Sequence, residues 1–425
     1  IGSGLVGSEM CIRDRYMTKV VVIGAGPAGI MASICLKEKL KDRIEVILLE
    51  KKNQIGKKLL ASGNGKCNLS SAQVLQKHIY NNKFATHVFS QYSNQNLKQT
   101  LFNLGLFTKE DLHLRTYPIT ESAKTVVELF KMQLKRHHVK VYENTEVIKV
   151  EKAKKQTYQI YTTHKDRLTL MCDYIIFATG GKSTPKLGSN GEGYELLSTM
   201  HIDITPLRPG LVGLMVEKKA IQGLDGLRQK AKVSLYEGTK EVFSEDGEVQ
   251  FKKDGLSGIV IMNASSIIAR SQQKLTLKLD LLPLIEEKKL NELLDNLKTM
   301  NRQMSMKELS FGFLPVPLAQ KILTDLEKEN KLTTRTLASR VKNYFVNIIG
   351  DYGFDASQVT IGGVNIEEIT EKFELKKMIN TYAIGELLDV DGLCGGYNIH
   401  FAIASGVMVA NSIYEKEMGK NEKEK

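Results

Sequence analysis

The order of apolar and polar positions near the start of the chain predicts a strand, a turn, a helix and a second strand. A short β-branched run at 19–23 stops at a glycine, which is typical of a buried parallel strand. Apolar positions with helical spacing follow at 28–40, and 44–49 is a second buried run. This succession is the first unit of a doubly wound parallel sheet, so we expect an α/β fold.

The same pattern continues towards residue 180. Residues 132–149 predict the end of a helix and then a strand at 139–142. Alternating positions at 157–163 and 168–171 predict a hairpin, and 174–178 is another buried run that we expect in the parallel sheet.

The character of the chain changes twice after residue 200. Short alternating runs between glycine-bearing turns predict a small antiparallel, barrel-like β insert, and the next stretch has lysine, leucine and glutamate at helical spacing. The strand and glycine-turn pattern then returns, so an insertion splits one Rossmann-like nucleotide-binding domain into two segments. The predicted division is a non-native or disordered extension at 1–16, a first segment at 17–200, a β insert at 201–280, a helical unit at 281–344, a second segment at 345–414 and a disordered charged tail at 415–425.

Composition excludes some classes of protein. The chain has 425 residues, 42% of them hydrophobic, and no run approaches the ~20 uninterrupted apolar residues of a membrane helix. Its five cysteines are scattered without a CxxC pair or a Cys/His cluster, which favours a reducing, cytoplasmic compartment and no metal site. Residues 1–16 lack the features of a secretion signal, so we expect Met17 to be the native start.

Charge is distributed unevenly along the chain. Residues 17–200 contain 28 Lys and Arg against 15 Asp and Glu, a net charge of +13, whereas residues 343–414 contain 3 against 9, a net charge of −6. A basic segment attracts phosphate-rich partners such as nucleotides or nucleic acid. The alternative interpretation is a solubilising surface.

The turn after the first strand has the spacing of a dinucleotide-binding fingerprint. Gly24 allows the tight turn, Gly26 lets the backbone approach a pyrophosphate, and Gly29 lets helix and strand pack closely. The helix N-terminus adds free amide donors. Glu50 ends the second strand, 21 residues after Gly29, where a carboxylate can accept both ribose hydroxyls. The pattern predicts a bound dinucleotide, either FAD or NAD.

Two further glycine sites favour FAD. Residues 178–181, ATGG, follow a buried strand, where flavoproteins return to the dinucleotide. Residues 381–396 predict a strand and a glycine-rich loop before the last helix, whose N-terminus would stabilise negative charge on a reduced flavin. No second GxGxxG follows a strand, so we expect NADH or NADPH to dock only transiently.

Two long motifs resemble those of one flavoprotein family. Residues 56–70, GKKLLASGNGKCNLS, resemble the G-[RK]-K-L-x-x-S-G-x-G-[RK]-C-N signature of the YhiN-like, BaiN-type flavoproteins, and residues 385–398 resemble that family's closing motif. Segments 115–118, 255–258 and 360–364 also match its pattern. The resemblance extends from Met17 to about Ser412 and implies an FAD domain interrupted by a barrel-like insert and a helical unit.

The same resemblance implies activities. Family members are assigned as NAD(P)/FAD-dependent oxidoreductases, and their proposed reactions include reducing a steroid double bond in bile acids and converting a uridine of large-subunit ribosomal RNA to dihydrouridine. Some carry an aminoacetone oxidase label. This chain departs from the pattern at Lys66, where arginine is commoner, at Asn64, where glycine is usual, and at 250–253, where QFKK replaces a usual Leu-Phe-Thr-His. Since lysine is a poor substitute for a neutral imidazole, a role for that histidine is not carried over to this chain.

Two residues are candidate proton donors to the carbon next to the one that receives hydride. Cys67 is a lone thiol in the signature loop, without the partner that disulfide chemistry requires; its alternative role is a small buried residue that shapes the loop. His400 lies at the start of the last helix, where a helix N-terminus favours a neutral imidazole. Arg115 and Tyr117 are candidates for orienting an acidic or planar substrate, although Tyr-Pro is also common in turns.

The remaining candidates are cofactor-binding residues. Asp389 and Asp391 are expected to cap the glycine-rich loop or to bond the flavin side chain rather than to form an acid–base pair. The predicted FAD-binding set is Gly24, Gly26, Pro27, Ala28, Gly29, Glu50, Lys51, Lys58, Ser62, Gly63, Asn64, Gly65, Cys67, Asn68, Thr179, Gly180, Gly181, Gly385, Glu386, Asp391, Gly395, Gly396, Tyr397 and Asn398.

These features together predict a flavoenzyme that takes hydride from NADH or NADPH onto FAD and delivers it to an electron-poor double bond. The favoured substrate is a uridine of ribosomal RNA, because the resemblance offers it and the basic segment suits it, and the expected partner is ribosomal RNA or a ribosome-assembly intermediate. A small-molecule enone is the close alternative. An amine oxidase that uses oxygen and a non-catalytic FAD-bound protein that binds ribosomal RNA are the further hypotheses.

Overall fold

The computed structural model describes residues 17–73, 79–164 and 168–423. The extension predicted at 1–16 and the last two residues of the predicted tail lie outside this part. The chain forms two compact units, the split unit and the insert unit. The split unit combines the residues up to Arg208 with those from Val359 onwards, and the insert unit is Pro209–Gln358.

The strands and helices of the described residues are labelled in chain order. The strands are β1 Thr18–Ile23, β2 Ile44–Leu49, β3 Ser70–Ser71, β4 Thr108–Glu110, β5 Arg115–Pro118, β6 Lys140–Tyr142, β7 Val147–Lys152, β8 Tyr158–Thr162, β9 Thr169–Cys172, β10 Tyr174–Phe177, β11 Arg208–Gly210, β12 Leu214–Val216, β13 Arg228–Glu237, β14 Lys240–Lys252, β15 Gly255–Ser257, β16 Thr276–Asp280, β17 Tyr344–Val346, β18 Ile348–Asp351, β19 Val359–Ile361 and β20 Thr381–Ala383. The helices are α1 Pro27–Leu40, α2 Asn82–Gln91, α3 Asn94–Asn103, α4 Ala123–Arg136, α5 Glu192–Thr199, α6 Lys218–Ile221, α7 Ile259–Arg270, α8 Glu287–Met300, α9 Met306–Phe311, α10 Val316–Lys328, α11 Thr334–Lys342 and α12 Tyr397–Lys423.

A parallel sheet with the strand order β20-β10-β1-β2-β6 forms the centre of the split unit. Its central strands are apolar along their length because both faces are buried, which is why the sequence shows continuous rather than alternating apolar runs. Helices α1 and α12 cross closely, since a Cβ atom on Gly406 would lie 2.4 Å from the Ala28 carbonyl oxygen. The α/β class and the parallel sheet are confirmed.

The split unit also contains two small three-stranded antiparallel sheets. One has the order β3-β5-β4, and the other has the order β7-β8-β9. Strands β8 and β9 correspond to the predicted hairpin, although residues 165–167 between them lie outside the described part. The pairing of β3 with β5 places Ser70, the last residue of the signature loop, opposite Thr116, and the following Ser71 opposite Arg115.

The insert unit is built on an antiparallel sheet with the order β17-β16-β13-β14-β15-β12-β18. Its two end strands are separated only by Asn347, so the sheet curls into a barrel-like form. Phe251 is fully buried in its core, whereas the neighbouring Lys252 is exposed. The residues that depart from the family pattern at 250–253 therefore lie at the end of β14 and provide part of this core.

The structure differs from the predicted division in four places. Residues 345–358, predicted to begin the second segment at 345–414, belong to the insert unit, because they include strands of its antiparallel sheet. The β insert and the helical unit share one hydrophobic core and form one compact unit, because leucines of the helices pack into the apolar core of the sheet. An α-helix, α7, lies in the stretch predicted as β, and Gly247 of β14 provides room for Val260 on this helix. Helix α12 continues to Lys423 through most of the tail predicted as disordered, and Tyr174 donates a hydrogen bond of 2.7 Å to Glu417 there.

None of the helices in the described ranges is long and apolar enough to cross a membrane.

Candidate dinucleotide-binding site

The glycine turn after β1 has no room for side chains at two of its three glycines. A Cβ atom on Gly24, whose φ is +105°, would lie 2.4 Å from the Ala178 carbonyl oxygen, and one on Gly29 would lie 2.0 Å from the Gly24 carbonyl oxygen. At Gly26 no atom of the described residues lies within 4 Å of such a Cβ, so the backbone here faces open space. Pro27 begins α1, and no side chain in the part of the chain that the structure describes caps this helix N-terminus. The amides of Gly24 and Ala25 donate to Leu49 and Glu50, so an incoming phosphate would meet the amide of Gly26 and those of the first turn of α1 after Pro27.

Glu50 is tied to the glycine turn. Its Oε2 accepts a hydrogen bond of 3.0 Å from the Ala25 amide, and its Oε1 accepts one of 2.8 Å from the Lys52 amide. Burial raises the pKa of the Glu50 carboxyl group above its ordinary value, although the two amides favour the carboxylate. The neighbouring Lys51 is paired with Glu192 at 2.5 Å. Glu50 keeps acceptor capacity for ribose hydroxyls, whereas the Lys51 ammonium group already has a carboxylate partner.

The second glycine site follows β10 and is closed by Thr360. A Cβ atom on Gly181 would lie 2.2 Å from Thr360 Oγ1, which accepts hydrogen bonds from the amides of Lys182 and Ser183. Thr179 Oγ1 is shielded from solvent and has no hydrogen-bond partner in the described part of the chain. An orphaned buried hydroxyl at this position is consistent with a partner supplied by a ligand.

Lys58 and Glu386 form an ion pair that joins the signature loop to the third glycine site. The Lys58 ammonium group lies 2.7 Å from Glu386 Oε2, and the two side chains are 26% and 19% exposed. Ser183 Oγ and the Thr360 amide donate further hydrogen bonds to Glu386 Oε1, at 2.8 and 3.0 Å. Both residues of the pair were predicted as cofactor ligands; the roles of Ser183 and Thr360 were not. Thr360 begins a segment that matches the family pattern, which was the available signal.

The signature loop is a chain of short 3₁₀ turns with several positions in the left-handed region. Gly63 and Asn64 have φ values of 56° and 54°, and Gly65 has a φ of 83°. Asn64 fits where the family usually has glycine because asparagine tolerates this conformation better than most residues. A Cβ atom on Gly63 would lie 3.0 Å from the Asn68 amide nitrogen, so the loop folds back tightly on itself.

Cys67 lies at the base of this loop. Its side chain is fully buried, and its φ of 62° is unusual for a residue other than glycine. Burial raises the pKa of the Cys67 thiol to about 12, although a hydrogen bond with Ser62 lowers it in part. The amide of Cys67 donates a hydrogen bond of 3.1 Å to the Ser62 carbonyl oxygen. In this conformation the thiol shapes the loop and does not face an open surface; its proposed role as a proton donor stays a prediction.

His400 lies in the core of the split unit. Its Nδ1 is 2.9 Å from Ser70 Oγ and its Nε2 is 3.0 Å from the Tyr92 carbonyl oxygen, so both ring nitrogens have partners. Burial lowers the pKa of His400 to about 4, which keeps the ring neutral. A neutral imidazole at this helix N-terminus agrees with the predicted charge state. Its placement supports a positioning role for Ser70 rather than contact with substrate.

The closing loop is held in shape by Asn398. The side-chain amide of Asn398 bonds both backbone groups of Gly392, at 2.8 and 2.9 Å. Gly396, with a φ of 88°, approaches the signature loop so closely that a Cβ atom there would lie 2.7 Å from Asn68 Oδ1 and from Ser70. The two long motifs therefore meet in space. Asp391 is buried, and its carbonyl oxygen accepts a hydrogen bond from the Tyr80 amide, in keeping with a structural role in the loop.

These features fit FAD. The turn at Gly24, Gly26 and Gly29 with Glu50 would hold the pyrophosphate and a ribose, and Thr179 offers an unsatisfied hydroxyl at the second site. At the third glycine site, the packed glycines of the signature and closing loops expose backbone atoms rather than side chains to the cofactor. Bound FAD would supply two-electron chemistry, while the chain supplies orientation and hydrogen bonds.

Three comparisons place these motifs among known proteins. The sequence profile of the family described as HI0933-like protein Rossmann domain matches residues 18–412. The 3-dehydro-bile acid delta(4,6)-reductase of Clostridium scindens is 31% identical over 415 residues, which cover 94% of this chain and 100% of that protein. The ribosomal RNA dihydrouridine synthase of Haemophilus influenzae is 26% identical over 405 residues, which cover 92% of this chain and 98% of that protein. The open conformation of a flavocytochrome c3 fumarate reductase has a TM-score of 0.48 at 15% identity, covering 98% of this chain and 81% of that chain.

The sheet and its glycine turns define a Rossmann-type, flavin-dependent oxidoreductase. Within that class, the chain belongs to the HI0933-like family. The resemblance drawn from the two long motifs is thereby confirmed.

Proposed function

We propose that the chain catalyses the NAD(P)H-linked reduction of an electron-poor carbon–carbon double bond. The observation that carries this proposal is the likeness, over 92% or more of the chain, to two enzymes that are each named for adding hydrogen to a ring double bond. In an unsaturated ring ketone and in uracil, such a double bond is conjugated to a carbonyl group. One of its carbons then accepts hydride, and the neighbouring carbon accepts a proton.

The arrangement of the split unit supports a resident flavin and a transient reductant. The glycine turns after β1 and β10 and the closing loop are all in one unit, and the sequence has no second GxGxxG after a strand. NADH or NADPH would therefore bind only transiently from solution and would supply the reducing equivalents.

Two substrate classes have separate support. A uridine of large-subunit ribosomal RNA is favoured by the net charge of +13 over residues 17–200, since RNA binding depends on neutralising phosphates. A small cyclic enone is favoured by the higher identity, 31%, to the bile-acid reductase. The conjugated double bond is common to both.

The test uses the purified flavoprotein without oxygen. Flavin absorbance is first bleached with NADPH or NADH, and two probes are then added separately: a bile acid with a conjugated ring ketone, and large-subunit ribosomal RNA from a strain that lacks the gene. Recovery of flavin absorbance identifies the substrate class, and recovery in the RNA arm should slow steeply as salt rises. If neither probe restores the absorbance, the proposal is wrong.

Two measurements address the remaining hypotheses. An amine oxidase would form hydrogen peroxide under air with aminoacetone and would be reduced slowly by NADPH. A non-catalytic RNA-binding protein would retain ribosomal RNA on a column while its flavin never turns over. Mapping dihydrouridine in ribosomal RNA after deleting the gene then tests the RNA substrate in the cell.

A further inference from the structure

The reaction proposed above requires a proton donor that can touch the substrate. Cys67 and His400 are both fully buried, and both nitrogens of His400 are occupied. Lys58 is held by the Glu386 carboxylate. None of these three groups can contact a substrate in this conformation. A proton donor therefore has to lie on the exposed side of the signature loop.

Tyr117 lies on that side. Strand β5 pairs with β3, so that Thr116 is opposite Ser70, three residues after Cys67. Thr116 is fully buried and accepts a hydrogen bond of 3.0 Å from Asn94. Since successive side chains of a strand point to opposite faces, Tyr117 projects away from this buried network.

The ring of Tyr117 packs beside the bend of the signature loop. A Cβ atom on Gly63 would lie 3.7 Å from Tyr117 Cε1, in ordinary van der Waals contact. The side chain is half-buried, and its hydroxyl makes no hydrogen bond to any residue that the structure describes. By contrast, the hydroxyls of Tyr158 and Tyr174 donate to Ile379 and Glu417. Tyr117 therefore offers an unengaged O–H group next to the loop.

Charged groups around Tyr117 suit a phenol that gives up its proton and regains it. Burial raises the pKa of Tyr117 above its usual value, so the neutral phenol is the resting form. The guanidinium group of Arg115 lies 5.8 Å from the ring centroid, and Arg115 and Lys66 both favour the phenolate. Asp111, paired with Arg115 at 2.7 Å, and Glu121, paired with Lys66 at 2.7 Å, oppose this effect.

We propose that Tyr117 is the catalytic acid of the double-bond reduction, an inference that rests on the proposed function. Reduced flavin, when bound, would supply the hydride equivalent and its two electrons, with which one carbon of the double bond would gain a C–H bond. The π bond breaks, and its electron pair takes the phenolic proton of Tyr117 at the neighbouring carbon. Tyr117 is left as a tyrosinate next to Arg115 and recovers a proton from water.

The first test separates the two halves of the reaction. Tyr117→Phe should bind flavin fully and be reduced by NADPH at the normal rate, but its reoxidation by the bile-acid or RNA probe should slow by about 10²–10⁴-fold. The matched control is Tyr161→Phe on β8, whose hydroxyl bonds Glu151 away from the loop, and it should reoxidise normally. In the wild type, reoxidation should also slow as the pH rises through the raised pKa of Tyr117. This slowing of reoxidation at high pH should be absent from Tyr117→Phe.

A second measurement does not depend on turnover. Fluorotyrosine incorporated at position 117 should change its fluorine resonance when the effective probe is added to the oxidised protein, whereas fluorotyrosine at position 161 should not. Equal reoxidation of the wild type and Tyr117→Phe, or an unchanged resonance at 117, would overturn the role of Tyr117 alone. Wild-type protein that neither probe reoxidises would overturn the proposed function together with this inference.

Discussion

The split unit and the insert unit use their sequences in different ways. The insert unit, Pro209–Gln358, contains neither histidine nor cysteine and none of the predicted cofactor residues, and its strands pair antiparallel around an apolar core. The split unit joins distant segments on a parallel sheet, as in the contact between Lys58 and Glu386, 328 residues apart. Candidate chemistry therefore concentrates where parallel strands end together, whereas the insert unit is specified mainly by packing.

The largest expected effect is at the glycine turn of the split unit. Gly29→Val should abolish flavin binding and destabilise the fold, because its side chain would strike the Gly24 carbonyl oxygen. Gly26→Ala should fold normally yet lose flavin, since its Cβ would meet no atom of residues 17–73, 79–164 and 168–423 within 4 Å but would block a pyrophosphate. Both variants are tested by measuring the flavin content of the purified protein and its thermal unfolding. Gly419→Ala in α12 is the control and should keep its flavin; full flavin in Gly26→Ala would contradict the predicted cofactor position.

The second prediction concerns the core of the insert unit. Phe251→Ala should cost about 3–5 kcal/mol, because Phe251 is fully buried and its removal leaves a cavity. Hydrogen exchange should show lost protection in 209–358 while the split unit keeps its protection and flavin. Phe345→Ala on β17, where the side chain is 58% exposed, should change the free energy of unfolding by no more than about 0.5 kcal/mol. Equal loss of protection in both units would mean that they unfold as one.

Acid should destabilise the split unit more than the insert unit. The pKa of His400 is about 4 in the folded protein and ~6.5 when unfolded, so the unfolded chain binds more protons between these values. Stability is thus present above pH ~6.5 and is lost as the pH falls towards 4, by up to about 3 kcal/mol. Urea unfolding of His400→Gln should lose this slope, whereas a variant of the exposed His138 should retain it. An unchanged slope in His400→Gln would mean that another group controls the acid response.

The smallest effect on stability is expected at the ion pair between Lys58 of the signature loop and Glu386 of the third glycine site. Glu386→Gln leaves the Lys58 ammonium group without its charged partner and should cost about 1–3 kcal/mol. We expect flavin affinity to fall by about tenfold, measured by titrating the apoprotein with FAD. The double variant Lys58→Gln, Glu386→Gln should lose less than the sum of the single losses. Strict additivity would show that the pair does not act as a unit.

Much of the parallel sheet could be predicted because its signals are local. The run at 44–49 is β2 residue for residue, and 28–40 differs from α1 only by Pro27. Strand β14 was not predicted, since its thirteen residues carry charges at many exposed positions and show little apolar alternation. Helix α7 was missed because a buried helix and a buried strand give similar short apolar runs.

By itself, the sequence determined the glycine turns, the dinucleotide fingerprint and the family, because each depends on a backbone requirement or a motif written at adjacent positions. Only the tertiary structure decided which side chains meet. It paired Lys58 with Glu386, enclosed Cys67 and His400, and left the Tyr117 hydroxyl without a partner among the described residues. Burial and pairing depend on distances between segments far apart in the chain, and these distances set the pKa values and hydrogen bonds on which the chemistry depends.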